Sequence, residues 1–500
     1  MVIRLINMKI NMKKKTLLLI CAIAIVIIAI IAACVVVGNN IANNSRARDI
    51  AFAPELIEFS NGLYEYNVEA AVDIAALTAK QSILIDSLDL PDNTIVLRTY
   101  PNAYASIDTS PAALMDMTGY PDGFSIGGVD IRSVYVNDCP AEFSYHDEAK
   151  TVLLVSPQED ILASGAAITL TLEYTVTIPN CAYRFGAAGD IIMLDRVFPT
   201  IAPIIEGQWR AEAVDMVGSP DIIDPSNWSV RLTVPDGWVA VTTGISDDGA
   251  YDAFESKATR GFSIVLLKGY KSSVSDVDGV AVTAYGKSSG DVSALLKAAI
   301  KSIELYNKLY GTYPYPEMKL IAADYPTDGA AFPQLSVINR QVDKTAFSRN
   351  ISKITARQWF QELVGASETS DPWLVESLSA YAGLLYIESA EGAKTLDAHI
   401  VENLEPAFQV TLPRGITIGS PQFLFGGWGE YRVMLSERGA LMLKGASDAI
   451  GADTFNQAIR AYIEGNLFGV ATRDDFIKSV NGETSNDWSG YFEDYLDTLV

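Results

Sequence analysis

Only two histidines, His146 and His399, occur in 500 residues. A zinc-peptidase helix presents two imidazoles at i and i+4, so that both reach one ion from one face. These two are too far apart in sequence to do that. Of the four cysteines, Cys21 and Cys34 lie in an apolar run, while Cys139 and Cys181 lie beyond it. No C-x-x-C pair exists, so a cysteine zinc site is not available. In an oxidising compartment Cys139 and Cys181 fit one disulfide or two free thiols equally well. His146, beside Asp147 and Glu148, reads as an exposed loop residue; His399, closing a helical stretch, reads as structural. Glu362, Glu376 and Tyr431 remain as the groups around which an unorthodox hydrolytic site could be assembled.

Two kinds of element must position these groups. From about Ala51 to Tyr285 the pattern is that of strands. Ile168 to Ile178 alternates strictly, apolar at every even position, as a half-buried strand does. Val230, Leu232 and Val234 alternate likewise before the turn Pro235-Asp236-Gly237. Near Ser289 the period changes: Ala294 to Tyr310 reads as a helix and Met318 to Ala323 as a strand, with helices dominating after Lys344. Ala356, Trp359, Phe360 and Leu363 share one helix face, which leaves Gln358, Gln361 and Glu362 for water. Later helices are expected over Glu437–Ala449, Asp453–Glu464, Arg473–Val480 and Asp487–Thr498. The fold class is therefore α+β, an antiparallel β-saddle or sandwich followed by a mostly helical domain.

The N-terminus adds a location. Thr16 to Val37 is uncharged and almost wholly apolar, close to the ~20 residues that cross a bilayer. Lys13, Lys14 and Lys15 precede it, which places the N-terminus in the cytoplasm and the bulk of the chain outside. A cleaved signal peptide would have a shorter apolar core, and the lipobox-like Ile31-Ala32-Ala33-Cys34 is followed by more apolar residues, so the length favours an uncleaved, single-pass anchor in the cell membrane. The expected layout is a basic N-terminus over 1–15, an anchor over 16–37, a tether over 38–54, a β-saddle domain over 55–285 and a peptidase-type domain over 286–500. The net charge of −24 would repel phosphate backbones, which excludes nucleic acid as a partner.

Three passages, taken in order, resemble the aminopeptidase N (membrane alanyl aminopeptidase) family of zinc peptidases, in the gluzincin clan. Gln358-Trp359-Phe360-Gln361-Glu362 looks like the stretch after that family's H-E-x-x-H helix. Pro372-Trp373-Leu374-Val375-Glu376-Ser377 with Tyr381 looks like its W-L-x-E-G helix. Tyr313-Pro314-Tyr315-Pro316, then Asp328-Gly329-Ala330-Ala331-Phe332-Pro333, resemble its Y-P-Y-P and G-G-M-E-[YF]-P passages. Leu97-Arg98-Thr99-Tyr100-Pro101, Phe198-Pro199-Thr200, Trp209-Arg210 and Asn227-Trp228-Ser229-Val230 echo its N-terminal saddle domain, and Trp488 to Phe492 the close of its thermolysin-like domain.

What the resemblance implies for chemistry is mostly loss. The ligand histidines fall on Lys353 and Arg357, the general base on Ile354, the amine-capturing glutamate on Ala331 and the transition-state tyrosine on Ser436. Only the third zinc ligand survives, as Glu376. Neither a Lys nor an Arg cation has a lone pair to give a metal, so zinc, expected of the family, is expected to be absent here. An Arg357–Glu376 salt bridge is expected in the volume the metal left, since an unpaired buried acid is costly. Glu376 acting as a residual ligand with His399 is the competing role. Tyr313, Tyr315 and Phe332 line the cleft on one reading and are core on the other. The functional expectation is a catalytically inactive pseudopeptidase that binds a peptide or protein partner. The alternatives are a metallopeptidase with a rebuilt site around Glu376, Glu362 and Tyr431, and a purely architectural subunit of a membrane complex.

Overall fold

The strictly alternating segment Ile168–Thr177 lies inside an eight-stranded sheet, buried at every even position. In order across the sheet the strands are 245–246, 253–259, 226–233, 65–72, 76–85, 168–177, 128–136 and 139–140. All neighbours run antiparallel except Glu65–Val72 and Ser226–Thr233, which pair in parallel. Two four-stranded sheets face it, one running through Ile191–Leu194 and Ile264–Leu267, the other through Ile95–Arg98 and Val152–Ser156. Their inward side chains meet in one apolar core around Tyr66, Trp228, Tyr174 and Phe185. The computed structural model describes residues 51–498 apart from 87–89, 164–165, 211, 221, 247–251 and 413–414.

A five-stranded sheet follows, in the order 271–277, 280–286, 317–323, 335–339, 329–332. The sequence reading placed 271–285 with the saddle, yet these strands pair onward: Val280–Gly286 lies parallel to Glu317–Ala323. Alternation gives a strand's faces but not its neighbour. This sheet is a wall with apolar residues on both sides. Met318, Leu320, Ala322 and Ala331 face the helical core, whereas Ile321, Ala323, Ala330 and Phe332 face the β core.

Helices build the other side: α1 (Ser289–Tyr310), α2 (Lys344–Arg357), α3 (Trp373–Glu391) and α4 (Gly439–Ile450). A capping box of Ser288 and Asp291 opens α1, and the Asp343 carboxylate caps α2 by accepting from the Thr345 and Ala346 amides. α3 is buried nearly all round, its apolar residues lying on every side and interrupted only by Glu and Ser. Gly439 lets α4 approach it closely, because a Cβ there would overlap the Ser377 hydroxyl.

One expectation is changed by the structure, and two that the sequence left open are decided. After Arg357 the chain does not continue as α-helix but widens into a π-turn over Gln358–Leu363. The extra residue rotates the side chains, so Gln358 and Glu362, expected in water, are buried. Gln358 is fully used inside, donating to Phe332 O at 2.9 Å and accepting from the Gln334 amide at 3.0 Å. Second, Cys139 and Cys181 are free thiols. Cys139 is half-buried in the edge strand of the eight-stranded sheet, whereas Cys181 is sealed in the core, where burial pushes its thiol up to about 12. Third, Tyr313, Tyr315 and Phe332 are core residues. The anchor expected over 16–37, with the basic segment before it and most of the tether after it, lies outside the described residues. Among the described residues no helix is long and apolar enough to cross a membrane.

Candidate functional site in the cleft

A cavity of about 450 Å³ opens where α2, α3 and the π-turn Arg432–Arg438 meet loops of the β part. Four of the positions singled out in the sequence, Lys353, Ile354, Arg357 and Ser436, line it together with Glu376. Ala331 does not; it is wholly buried on the sheet wall.

Arg357 closes the last turn of α2, and Glu376 sits in the first turn of α3, where the positive end of the helix dipole favours a carboxylate. The Arg357 guanidinium donates through Nη2 to Glu376 Oε1, and both side chains are more than nine-tenths buried. Nη1 donates to Ser219 Oγ and to Gln361 Oε1, each at 3.2 Å. The Ser436 hydroxyl donates to Glu376 Oε2 at 3.5 Å. Burial works against the arginine's charge, but Glu376 and then Glu368 outweigh it and hold the pKa above its ordinary value. The guanidinium therefore stays protonated.

Lys353, one turn earlier on α2, pairs with Asp328 at 3.1 Å rather than with Glu376. Lys353 holds the Asp328 carboxyl below the usual range. Ile354, 1% exposed, offers no proton acceptor. His399 does not line this cavity. Its Nδ1 lies 3.2 Å from Arg349 Nη1 and 3.1 Å from Asn403 Nδ2, in an adjoining chamber of about 370 Å³. Burial, then Arg349, lowers its pKa. Asp328, Lys353, Arg432 and Ser436 line both chambers.

The groups proposed for a rebuilt hydrolytic site are not all together. Glu376 and Tyr431 line the cavity, and Glu362 does not. Burial raises the Glu362 carboxyl to about 7, and it accepts from Gln361 Nε2 at 2.9 Å behind the π-turn. For zinc, the donors present do not fit. The surviving ligand position is engaged by a guanidinium, and among the described residues no three His, Cys, Asp or Glu side chains converge as a metal set.

Other cavity residues had no signal in the sequence. Arg184, in left-handed backbone at φ 45°, forms a buried pair with Asp195 at 2.8 Å and donates to Ser219 Oγ at 3.2 Å. Ser219 thus accepts from two guanidiniums. Gly218 makes this possible: at φ +87° it turns the chain, and a side chain there would overlap the Gln422 amide. Tyr183, Tyr325 and Trp428 form an aromatic wall, with ring centroids 5.6 and 6.0 Å from Tyr183.

Comparison with known proteins sets this geometry in a fold. No family profile matches the sequence. No curated protein matches it either. Solved structures do match in shape. An M1 zinc metallopeptidase from Deinococcus radiodurans superposes with a TM-score of 0.60 at 14% identity, over 88% of this chain and 94% of that one. A two-domain M1 zinc metallopeptidase bound to L-arginine gives the same TM-score and identity. The Deinococcus radiodurans enzyme bound to a Tyr-Ser-Ala substrate gives 0.59 at 15% identity, over 88% and 95% of the two chains. The chain therefore has the fold of the two-domain M1 zinc metallopeptidases, with many sheets followed by helices.

Proposed function

We propose that this chain is a non-hydrolytic relative of the zinc aminopeptidases, a ligand-binding protein that keeps their cleft and lacks their metal chemistry. The observation that carries the reading is the buried Arg357–Glu376 ion pair. It occupies the third-ligand carboxylate with a cation that cannot be deprotonated and offers no lone pair. Lys353 one turn away and Ile354 beside it support the same conclusion, since neither binds a metal nor takes a proton from water. The cavity of about 450 Å³ has room for a few residues of peptide, the ligand class of the Tyr-Ser-Ala-bound neighbour. On this reading residues 16–37 hold the protein in the membrane and present the cleft outside the cell.

The test uses the full chain purified in detergent. After incubation with zinc and desalting, elemental analysis is expected to find substoichiometric metal, and a panel of aminoacyl fluorogenic substrates is expected to show no turnover. One zinc per chain with chelator-sensitive turnover would overturn the reading. Protease added to intact cells is expected to digest the region after residue 38; full protection would overturn the placement outside.

A further inference from the structure

We infer that Asn61 is a site of spontaneous deamidation, and that the fold selects it over the chain's second Asn-Gly step. The two steps are Asn61-Gly62 and Asn481-Gly482. Asparagine is among the thermolabile side chains, and a following glycine leaves the next backbone nitrogen unshielded because it has no Cβ. The reaction needs only water. The Gly62 nitrogen attacks Asn61 Cγ: an N–C bond forms, the Cγ–Nδ2 bond breaks, and ammonia leaves with the proton the nitrogen gave up. Water then opens the cyclic imide at either carbonyl, which yields aspartate or isoaspartate. Nothing is oxidised or reduced, and nothing in this chemistry depends on the cleft or on what it binds.

At Asn61 the structure leaves every reacting atom accessible. Asn61 and Gly62 lie in the turn between the short helix Pro54–Phe59 and the strand Glu65–Val72, and both are exposed. Among the described residues, neither the Asn61 side chain nor the Gly62 amide has a hydrogen-bond partner. The turn is closed by the Leu63 amide donating to Ser60 O at 3.4 Å, longer than the ~2.7–3.2 Å of a good bond. Gly62 stands at φ +81°, and a Cβ built there would meet nothing within 4 Å, so open space surrounds the attacking nitrogen. Rotating the Asn61–Gly62 peptide until that nitrogen meets Cγ therefore gives up one weak bond and no packing.

Asn481 has the same neighbour and the opposite surroundings. It lies inside the helix Arg473–Glu483, whose backbone fixes the dihedral that would have to turn. Its Nδ2 donates to Asp487 Oδ1 at 3.0 Å and to Ser489 Oγ at 3.2 Å, and its Oδ1 accepts from the Trp488 amide at 2.7 Å. Reaction there would break all three bonds and unwind the end of the helix. The product at residue 61 adds a negative charge to a chain already at −24. Isoaspartate also lengthens the main chain by one atom just before Glu65–Val72. That strand is held by ladders on both sides, so the exposed turn, not the sheet, takes up the extra length.

The test is ageing of the full chain in mildly alkaline buffer made with heavy-oxygen water, followed by peptide mapping in a mass spectrometer. The peptide that holds residue 61 is expected to exchange its amide for a hydroxyl, to take up heavy oxygen and to separate into aspartate and isoaspartate forms. It is expected to do so about tenfold or more faster than the peptide that holds residue 481. The same ageing in guanidinium, where both steps are unfolded, is expected to bring the two rates to within about threefold of each other. Residue 61 left unchanged, or the two sites reacting equally fast in the folded chain, overturns the inference. A gap of the same size in guanidinium overturns it too, because local sequence rather than the fold would then set the rates.

Discussion

Arg357→Met removes the cation at the centre of the cleft while keeping a flexible chain of similar length. Glu376, 4% exposed, then keeps only the 3.5 Å hydrogen bond from Ser436. The bonds from Arg357 to Ser219 and Gln361 are lost with it. Removing one partner of a buried ion pair costs about 3–5 kcal/mol, because the remaining charge cannot be solvated. Unfolding entropy of ~2.1 cal/mol/K per residue over ~450 residues amounts to about 0.9 kcal/mol/K, so Tm is expected to fall by about 3–5 °C. Arg357→Met combined with Glu376→Leu removes both charges and is expected to recover to within ~1–2 °C of the parent, since apolar replacement of a buried pair is close to neutral. The assay is thermal unfolding of the full chain by tryptophan fluorescence, for which the buried Trp359 and Trp373 are internal reporters. The reasoning is refuted if the single substitution lowers Tm by less than ~1 °C, or if the double variant is no more stable than the single.

Ser219→Ala takes the shared acceptor from both Arg184 and Arg357, and a loss of about 1–3 kcal/mol is expected in the same unfolding assay. Lys353→Ala is expected to cost less than ~1 kcal/mol, because its partner Asp328 is partly exposed and the pair is screened by solvent; a loss as large as that of Arg357→Met would contradict this. Glu362 supplies a pH dependence. Burial raises its folded pKa to about 7 from the ordinary 4.5, so its contribution to stability is fully present below pH 4.5 and is lost as pH rises toward 7. That loss is about 3 kcal/mol at ~1.4 kcal/mol per unit. Glu362→Gln is expected to flatten the fall in Tm between pH 5 and pH 8, and an unchanged slope would show that another group titrates there.

Local periodicity was enough for the elements, and less than enough for the site. The strand at 168–177 and the helix ending at Tyr310 are written in spacing alone, because each buries one face against a continuous core. Arg357 and Glu376 could be paired from sequence because both sit on helices at a recognisable separation and carry opposite charge. Gln358 and Glu362 misled for a local reason: a π-turn inserts one residue, and nothing in Gln-Trp-Phe-Gln-Glu announces it. Asp328 as the partner of Lys353, and Ser219 as the hinge between two arginines, depend on loops from distant parts of the chain. Their positions are set by long-range packing, as is the isolation of Cys181 from Cys139.

The parallel pairing of Glu65–Val72 with Ser226–Thr233 has a consequence for how the molecule is made. Glu65 meets Asn227, 162 positions further along the chain. A ribosome adding ~5–20 residues per second needs on the order of ten to thirty seconds to supply that neighbour. During this interval the 65–72 strand can pair on its 76–85 side, while its other edge stays open to any chain nearby. Passage of the nascent chain, rather than the finished protein, is therefore when the eight-stranded sheet is most exposed to misassembly, and slowing synthesis before residue 226 would lengthen that risk.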